Sequence, residues 1–208
     1  MNAIEKELAA DRALLEVAAS GGRAGWRTWQ LDSYAVVAGR GSDIEADIDT
    51  GFCAGTGIPV VRRFSGGGTV LVGPGTLQWA IALPEGLLDG DHAITSARNL
   101  STGIIASTLG LERDRSGDLT RRGRKVGGLA MRKIRGAVLA HGSLLVTADL
   151  ERIARALRHP RREPDYRRGR SHGEFLDNLG VVDADALGDA LEGWLGHLGD
   201  GQEPCAKA

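Results

Sequence analysis

The chain has 208 residues, 26 basic and 27 acidic side chains, 42% apolar content and only 4% aromatics. That is enough apolar material for one domain with a mainly aliphatic core, but no run approaches the ~20 apolar residues of a membrane span. Two cysteines, Cys53 and Cys205, exclude a disulfide scaffold and lack metal-ligand spacing; an N-terminus carrying Glu5, Lys6, Glu7, Asp11 and Arg12 does not read as a signal peptide, so the cytoplasm is expected.

Ile4, Leu8, Leu14, Leu15, Ala18 and Ala19 recur at helical spacing, and Ser20-Gly21-Gly22 ends that helix. Short strands at 26–31 and 34–39 flank an Asp32-Ser33 turn. Residues 43–53 are predicted as one short helix, capped by Ser42 or Asp43 and broken by Gly55-Thr56-Gly57. Ile58-Pro59-Val60-Val61 enters a glycine-rich stretch as a strand, and residues 69–72 leave it. After a Gly73-Pro74-Gly75 turn, residues 77–83 form a further strand. Residues 94–109 make an amphipathic helix closed by Gly110. Strands follow at 111–113, 118–119, 124–129 and 137–146, then a helix at 149–157 with Thr147 as its cap. A basic irregular loop at 160–170, a last helix at 183–198 and a disordered tail after Gly199 complete the chain. Helices mixed with short hairpins, without regular β–α alternation, predict an α+β fold: a mainly antiparallel mixed sheet flanked by helices, one domain over residues 1–199.

The net charge of −1 hides an uneven distribution: residues 111–170 hold 17 Lys and Arg against 7 Asp and Glu. A basic face suits an acidic or polyanionic partner, or is an ordinary solvated surface. Nucleic acid is disfavoured as that partner, because only Tyr166 is at hand to stack on a base.

Two stretches carry chemistry. The first reads Arg62-Arg63-Phe64-Ser65-Gly66-Gly67-Gly68-Thr69-Val70. Three consecutive glycines favour neither helix nor strand; they let backbone approach a ligand with N–H groups free to donate. With two arginines and the Ser65 hydroxyl, the stretch suits a phosphate or carboxylate. The alternative is a flexible hairpin turn. In the second, Gly117-Asp118-Leu119 precedes Arg124-Lys125-Val126-Gly127-Gly128-Leu129-Ala130. A basic turn of Arg132, Lys133, Arg135 and Gly136 leads to His141-Gly142-Ser143-Leu144-Leu145. Lys125 puts a compact positive charge at the start of a strand whose paired glycines leave room beside it; the alternative is a solvent-facing hairpin lysine. His141 either orients a ligand or moves a proton, or is a structural histidine.

In this order and spacing, these motifs resemble the lipoate–protein ligase family, in the superfamily that also holds biotin–protein ligases and octanoyltransferases. The Arg-Arg-x-Ser-Gly-Gly-Gly-[Ala/Thr]-Val signature falls at residues 62–70. The Lys-[Val/Ile]-[Ser/Gly]-Gly-x-Ala and His-Gly-[Thr/Ser]-Leu-Leu elements fall at residues 125–130 and 141–145, with Asp118 at the Asn-Asp element. Gly39-Arg40 and Asn2-Ala3-Ile4-Glu5 are weaker matches. The resemblance implies the biotin/lipoate ligase catalytic fold, with lipoate or octanoate activated by ATP and Mg²⁺ to an acyl-adenylate. The acyl group then passes to a lysine of an acceptor lipoyl domain of a 2-oxoacid dehydrogenase or glycine-cleavage protein. It assigns Lys125 to bridging the acyl oxygen and the α-phosphate. Arg63, Ser65, Gly66, Gly67, Gly68 and Thr69 go to the adenylate phosphate and acyl carbonyl, and Asp118 to Mg²⁺ or an adenylate-side group. Gly127 and Gly128 become a slot for the aliphatic tail, with Ala130, His141 and Gly142 beside the substrate.

The chain departs from the family at Val72-Gly73, where His-Asp is usual, at residues 39–43, which lack the family's amides, and at Gly117, which replaces Asn. Its 208 residues leave no room for a C-terminal accessory domain, so an accessory subunit is expected to assist activation. One rival is an ATP-independent octanoyl or lipoyl transferase, which would need a cysteine near residues 135–141, where none occurs. Another is a non-catalytic relative that holds an adenylate or a lipoyl domain.

Overall fold

The computed structural model describes residues 1–199; the tail expected to be disordered, with Cys205, lies outside the described residues. Helix α1 (Ala3–Gly21) starts at a reciprocal cap, in which Asn2 accepts from the Glu5 amide and Glu5 accepts from the Asn2 amide. Its buried stripe is Ile4, Leu8, Asp11, Leu15 and Ala18, a helical spacing with a carboxylate at its centre. Strands β1 (Gly25–Trp29) and β2 (Ala35–Ala38) follow, then helices α2 (Ile44–Asp47) and α3 (Thr50–Gly55), then β3 (Val60–Arg62), β4 (Val70–Val72) and β5 (Thr76–Pro84). Helix α4 (Ala93–Leu109) leads to β6 (Glu112–Arg113), β7 (Leu119–Arg121), β8 (Arg124–Ile134) and β9 (Ala137–Leu145). Helices α5 (Leu150–Ala156), α6 (His172–Phe175) and α7 (Ala184–Gly199) end the described chain.

The large sheet has the order β1-β5-β9-β8-β7-β6 and is antiparallel throughout. The small sheet has the order β3-β2-β4, with β2 parallel to β3 and antiparallel to β4. Strand β5 is buried along its whole length because helices cover both of its faces. On one face Trp79, Ile81 and Leu83 join Val138, Ala140 and Leu144 against Ala97 and Ile105 of α4 and Leu187 and Leu191 of α7. On the other, Ala80 and Ala82 with Ala137 and Leu139 receive Leu15 and Ala18 of α1; the small side chains let that helix lie close. Further along α1, Ile4 and Leu8 pack with Leu31, Ala35, Val37 and Val72, so one helix joins both sheets.

The expected α+β class and most expected elements are present; several boundaries shift by one or two residues, α6 was not expected, and three larger departures have a physical cause. Residues 43–53 form two helices, because Ile48 leaves the first to bridge to Leu157, and Asp49 caps the second by accepting from the Phe52 amide at 2.8 Å. Asp149, not Thr147, caps α5, accepting from the Arg152 amide at 2.8 Å. The strand expected at 124–129 runs on to Ile134, so Arg132 and Lys133 sit in β8 and the turn is Arg135-Gly136, with Gly136 at φ 93. The loop at 160–170 contains a short 3₁₀ turn, Asp165–Arg167. No helix of the described residues is long and apolar enough to cross a membrane.

Candidate active site

Residues 63–69 connect β3 to β4 and reach across to the large sheet, where the Gly66 amide donates to the Met131 carbonyl at 3.1 Å. A Cβ on Gly39 would lie 2.0 Å from the Gly67 carbonyl oxygen, so glycine at Gly39 is what lets the loop approach β2. The Arg63 side chain is buried and folds beneath its own loop. Its Nε donates to Ser65 Oγ at 2.9 Å, Nη2 to the carbonyls of Gly66 at 2.7 Å and Gly68 at 2.8 Å, and Nη1 to Val37 at 3.2 Å. Burial lowers its pKa to about 10, which leaves it a cation at neutral pH. Four of its five N–H groups are thus spent within the protein, on the loop and on Val37, which sets its charge behind the loop rather than at the exposed face. With those carbonyls drawn inward, the amides of Gly67, Gly68 and Thr69 have no acceptor among the described residues, and Gly67 and Gly68 are exposed. They are free donors lying over a buried positive charge, an arrangement suited to an anion.

Lys125, at the start of β8, places Nζ 2.7 Å from Asp118 Oδ1. The other Asp118 oxygen accepts from the Tyr166 hydroxyl at 2.9 Å. A Cβ on Gly128 would lie 2.8 Å from Lys125 Nζ and 3.1 Å from Asp118 Oδ1. A Cβ on Gly127 would lie 2.9 Å from the Ser143 carbonyl oxygen, and one on Gly142 2.1 Å from the Gly128 carbonyl oxygen. Beside Gly127 the space is taken by β9, and beside Gly128 by the flexible end of Lys125 and by Asp118. Gly128 seats the ion pair, while Gly127 and Gly142 let β8, β9 and Trp79 pack closely. Two residues on from Gly128, on the same face of β8, Ala130 lies under Gly67. Loop and ion pair therefore stand side by side on the face of the large sheet that α1 also covers.

His141 pairs in register with Ala130 and is buried beneath the loop, with Nε2 2.7 Å from Ser65 Oγ and Nδ1 2.8 Å from Asp11 Oδ2. Asp118 has both oxygens engaged, and among the described residues no three His, Cys, Asp or Glu side chains converge to hold a metal ion. The residues do not fit a resident Mg²⁺ site.

Three residues of this neighbourhood escaped the motif reading: Asp11, Tyr166 and His172. Burial, then the charge of Asp118, raises the Tyr166 phenol above its ordinary value, so its hydroxyl remains a donor. Burial, then the charges of Arg167, His159 and Lys125, lowers His172 to about 4, leaving it neutral beside the lysine. An unfolded chain would protonate this residue near 6.5, before the folded one does. Stability should therefore fall as pH drops from about 6.5 to about 4, and His172→Gln should flatten that fall in a pH series of thermal melts.

The basic segment is partly internal. Arg121 donates to the carbonyls of Asn178 and Leu179, Arg124 to those of Gly173 and Leu176, and Arg170 to those of Tyr166 and Gly123. These arginines hold the returning chain beside β7 and β8. Arg122, Arg135, Arg161, Arg162 and Arg168 are left exposed. Cys53 is buried in the core of the small sheet, and burial, then the charge of Asp49, pushes its thiol up.

The family model of the lipoyl protein ligase A/B catalytic domain matches residues 3–181. A protein of Aeropyrum pernix provisionally named lipoate-protein ligase A is 34% identical over 153 residues, covering 71% of this chain and 56% of that protein. The octanoyl-[GcvH]:protein N-octanoyltransferase of Kyrpidia tusciae is 30% identical over 179 residues, covering 73% of this chain and 60% of that protein. The chain thus spans a little over half the length of these relatives. A lipoate protein ligase from Thermoplasma acidophilum, solved as part of a bi-partite ligase with its E2 lipoyl domain, shares the fold. It has a TM-score of 0.74 at 24% identity, over 93% of this chain and 78% of that one. With its glycine loop, its lysine strand and nearly its whole described length matched, the chain belongs to the lipoyl protein ligase A/B catalytic domain family.

Proposed function

We propose that the chain is a lipoate–protein ligase-type acyltransferase that uses an acyl-adenylate of lipoate or octanoate to acylate a lysine of an acceptor lipoyl domain. The observation that carries this reading is the placement of three free loop amides and the Lys125 ammonium on one face of one sheet. In the first step a carboxylate oxygen of the acid attacks the α-phosphorus of ATP and expels pyrophosphate. In the second the acceptor amine attacks the acyl carbon, AMP leaves and the amine gives up a proton. Both steps gather negative charge on a phosphate and a carbonyl oxygen, and preorganised donors aimed at those atoms lower both barriers. The Gly67, Gly68 and Thr69 amides supply such donors, and Arg63 adds its buried charge behind them. Lys125 turns from Asp118 toward the acyl-phosphate junction, with Asp118 held by Tyr166. ATP would bring Mg²⁺ on its own phosphates.

The acceptor would be a lipoyl domain of a 2-oxoacid dehydrogenase or a glycine-cleavage protein, the latter in keeping with the Kyrpidia protein's name. The exposed arginines suit an acidic acceptor. The bi-partite Thermoplasma ligase supports a separate accessory polypeptide for the activation step. An ATP-using enzyme of this kind would work in the cytoplasm. Against a thioester transferase stands Cys53, the one cysteine among the described residues, whose buried thiol is a poor nucleophile.

Mass spectrometry of an apo-lipoyl domain incubated with the chain tests this. Preformed lipoyl-adenylate should give the acyl-lysine adduct, more slowly as salt rises. Lipoate with ATP should give it poorly until an accessory polypeptide is added. An adduct from acylated carrier protein without ATP would favour the thioester route, and no adduct from any donor would leave only a binding role.

A further inference from the structure

Beneath the glycine loop, four buried side chains form one hydrogen-bonded row from α1 to the end of β3. Asp11 Oδ2 lies 2.8 Å from His141 Nδ1, His141 Nε2 lies 2.7 Å from Ser65 Oγ, and Ser65 Oγ lies 2.9 Å from Arg63 Nε. Asp11 is 1% exposed, Ser65 0%, and His141 and Arg63 6% each, so the row is closed to bulk solvent. With a neutral imidazole, the donor inventory sets the direction of every bond. Arg63 Nε can only give its proton, so Ser65 Oγ accepts there. The Ser65 proton has His141 Nε2 as its acceptor. That leaves the ring proton on Nδ1, donated to Asp11 Oδ2. The other Asp11 oxygen accepts from Arg27 Nη1 at 2.5 Å and Trp29 Nε1 at 3.2 Å.

The spacing is that of a serine nucleophile with its base and carboxylate. Here, however, Ser65 is closed to solvent and its oxygen already receives the Arg63 proton, so the row offers no nucleophile. It ends on the guanidinium whose remaining donors hold the Gly66 and Gly68 carbonyls. That guanidinium has no carboxylate within 4.0 Å among the described residues; the carboxylate at the far end of the row is Asp11.

We propose that Asp11 is a positioning residue for the anion-binding loop. Acting through the His141 tautomer and the Ser65 hydroxyl, it holds Arg63 and so keeps the Gly67, Gly68 and Thr69 amides turned toward the ligand. This rests on the adenylate reading given above for the identity of that ligand.

Asp11→Asn matches the native side chain in shape but not in protons. Arg27 and Trp29 only donate, so the new amide oxygen must face them and its nitrogen must face His141. Nδ1 then has to accept, the ring proton moves to Nε2, and the Ser65 proton loses its acceptor. Nitrogen-15 NMR should find the Nδ1–H tautomer in the native protein and Nε2–H in D11N, with shifted Gly67, Gly68 and Thr69 amides. Affinity for a non-hydrolysable lipoyl-adenylate analogue should fall about 10- to 100-fold, the cost of stranding one buried polar group. In a Ser65→Ala background, where no hydroxyl proton is left stranded, D11N should cost no more than about twofold. Should D11N fail to fold, Ser65→Ala alone must move the loop amides and weaken the analogue. Native affinity with unmoved loop amides in either variant, or an Nε2–H ring in the native protein, would overturn the proposal. A native protein that binds no adenylate would sink the functional reading, while the tautomer and amide shifts would still decide the role of Asp11 in the loop.

Discussion

Replacing Lys125 with alanine is expected to slow acyl transfer from preformed lipoyl-adenylate by ~10²–10³-fold, the usual cost of removing one preorganised charge from a reacting centre. The ammonium sits over Gly128, partly exposed, on the face that also carries the free loop amides. Its loss leaves the buried Asp118 carboxylate with only the Tyr166 hydroxyl, so K125A should also melt at a lower temperature while still folding. Lys125→Arg should rescue poorly, because a planar guanidinium is larger than the space above Gly128, where a Cβ would already lie 2.8 Å from Nζ. Single-turnover transfer and a thermal melt on each variant decide the matter. Near-native transfer by a folded K125A protein would remove Lys125 from the chemistry.

Gly67→Val is expected to abolish adenylate binding. Gly67 sits at φ +89, which β-branched residues avoid, and its Cβ would fall 2.8 Å from Arg63 Nη2 and 3.4 Å from the Ala130 methyl. Relieving those contacts means giving up the bonds from Arg63 to Gly66 and Gly68, and with them the outward set of the amides. Gly68 provides the comparison: it has open space around it and no left-handed φ. Gly68→Ala should keep native stability and weaken binding about tenfold, by crowding the ligand alone. Calorimetric titration of both variants with an adenylate analogue separates the two effects. Unchanged affinity in G67V would reduce the loop to a turn.

The sequence displayed the frame of the site but not its wiring. The triple glycine and the lysine before paired glycines fall on a loop and a strand that the structure brings together, because a backbone that must approach something closely leaves glycine behind. What each glycine approaches was not legible. Gly39 yields to the Gly67 carbonyl, Gly128 to an ion pair and Gly142 to Trp79, all set by pairings remote in the chain. Nor was it legible that the Arg63 guanidinium turns back under its own loop, since nothing local says so. Asp11 did leave a signal: it occupies a position of the stripe Ile4, Leu8, Leu15, Ala18, where a carboxylate needs buried partners. The predicted helix at 43–53 failed because propensity ignores the bridge that draws Ile48 to Leu157.

The amides and the ammonium belong to different layers. The glycine loop hangs from the small sheet, and Lys125 stands on the large one. The layers meet through the packing of α1, through Leu145 of β9 in one core with Val36, Ala38 and Leu71, and through the Gly66–Met131 bond and the Asp11 row. A ligand that touches both donor sets is therefore a non-covalent cross-link. By mass action, anything that binds only the docked layers favours them by RT ln(1 + [L]/Kd), ~2.7 kcal/mol at a hundredfold excess over Kd. Under the proposed function, part of the cohesion of the loaded protein would be lent by the adenylate it holds. Loss of such a ligand removes that contribution, so limited proteolysis should be faster in the ligand-free protein than in the loaded one.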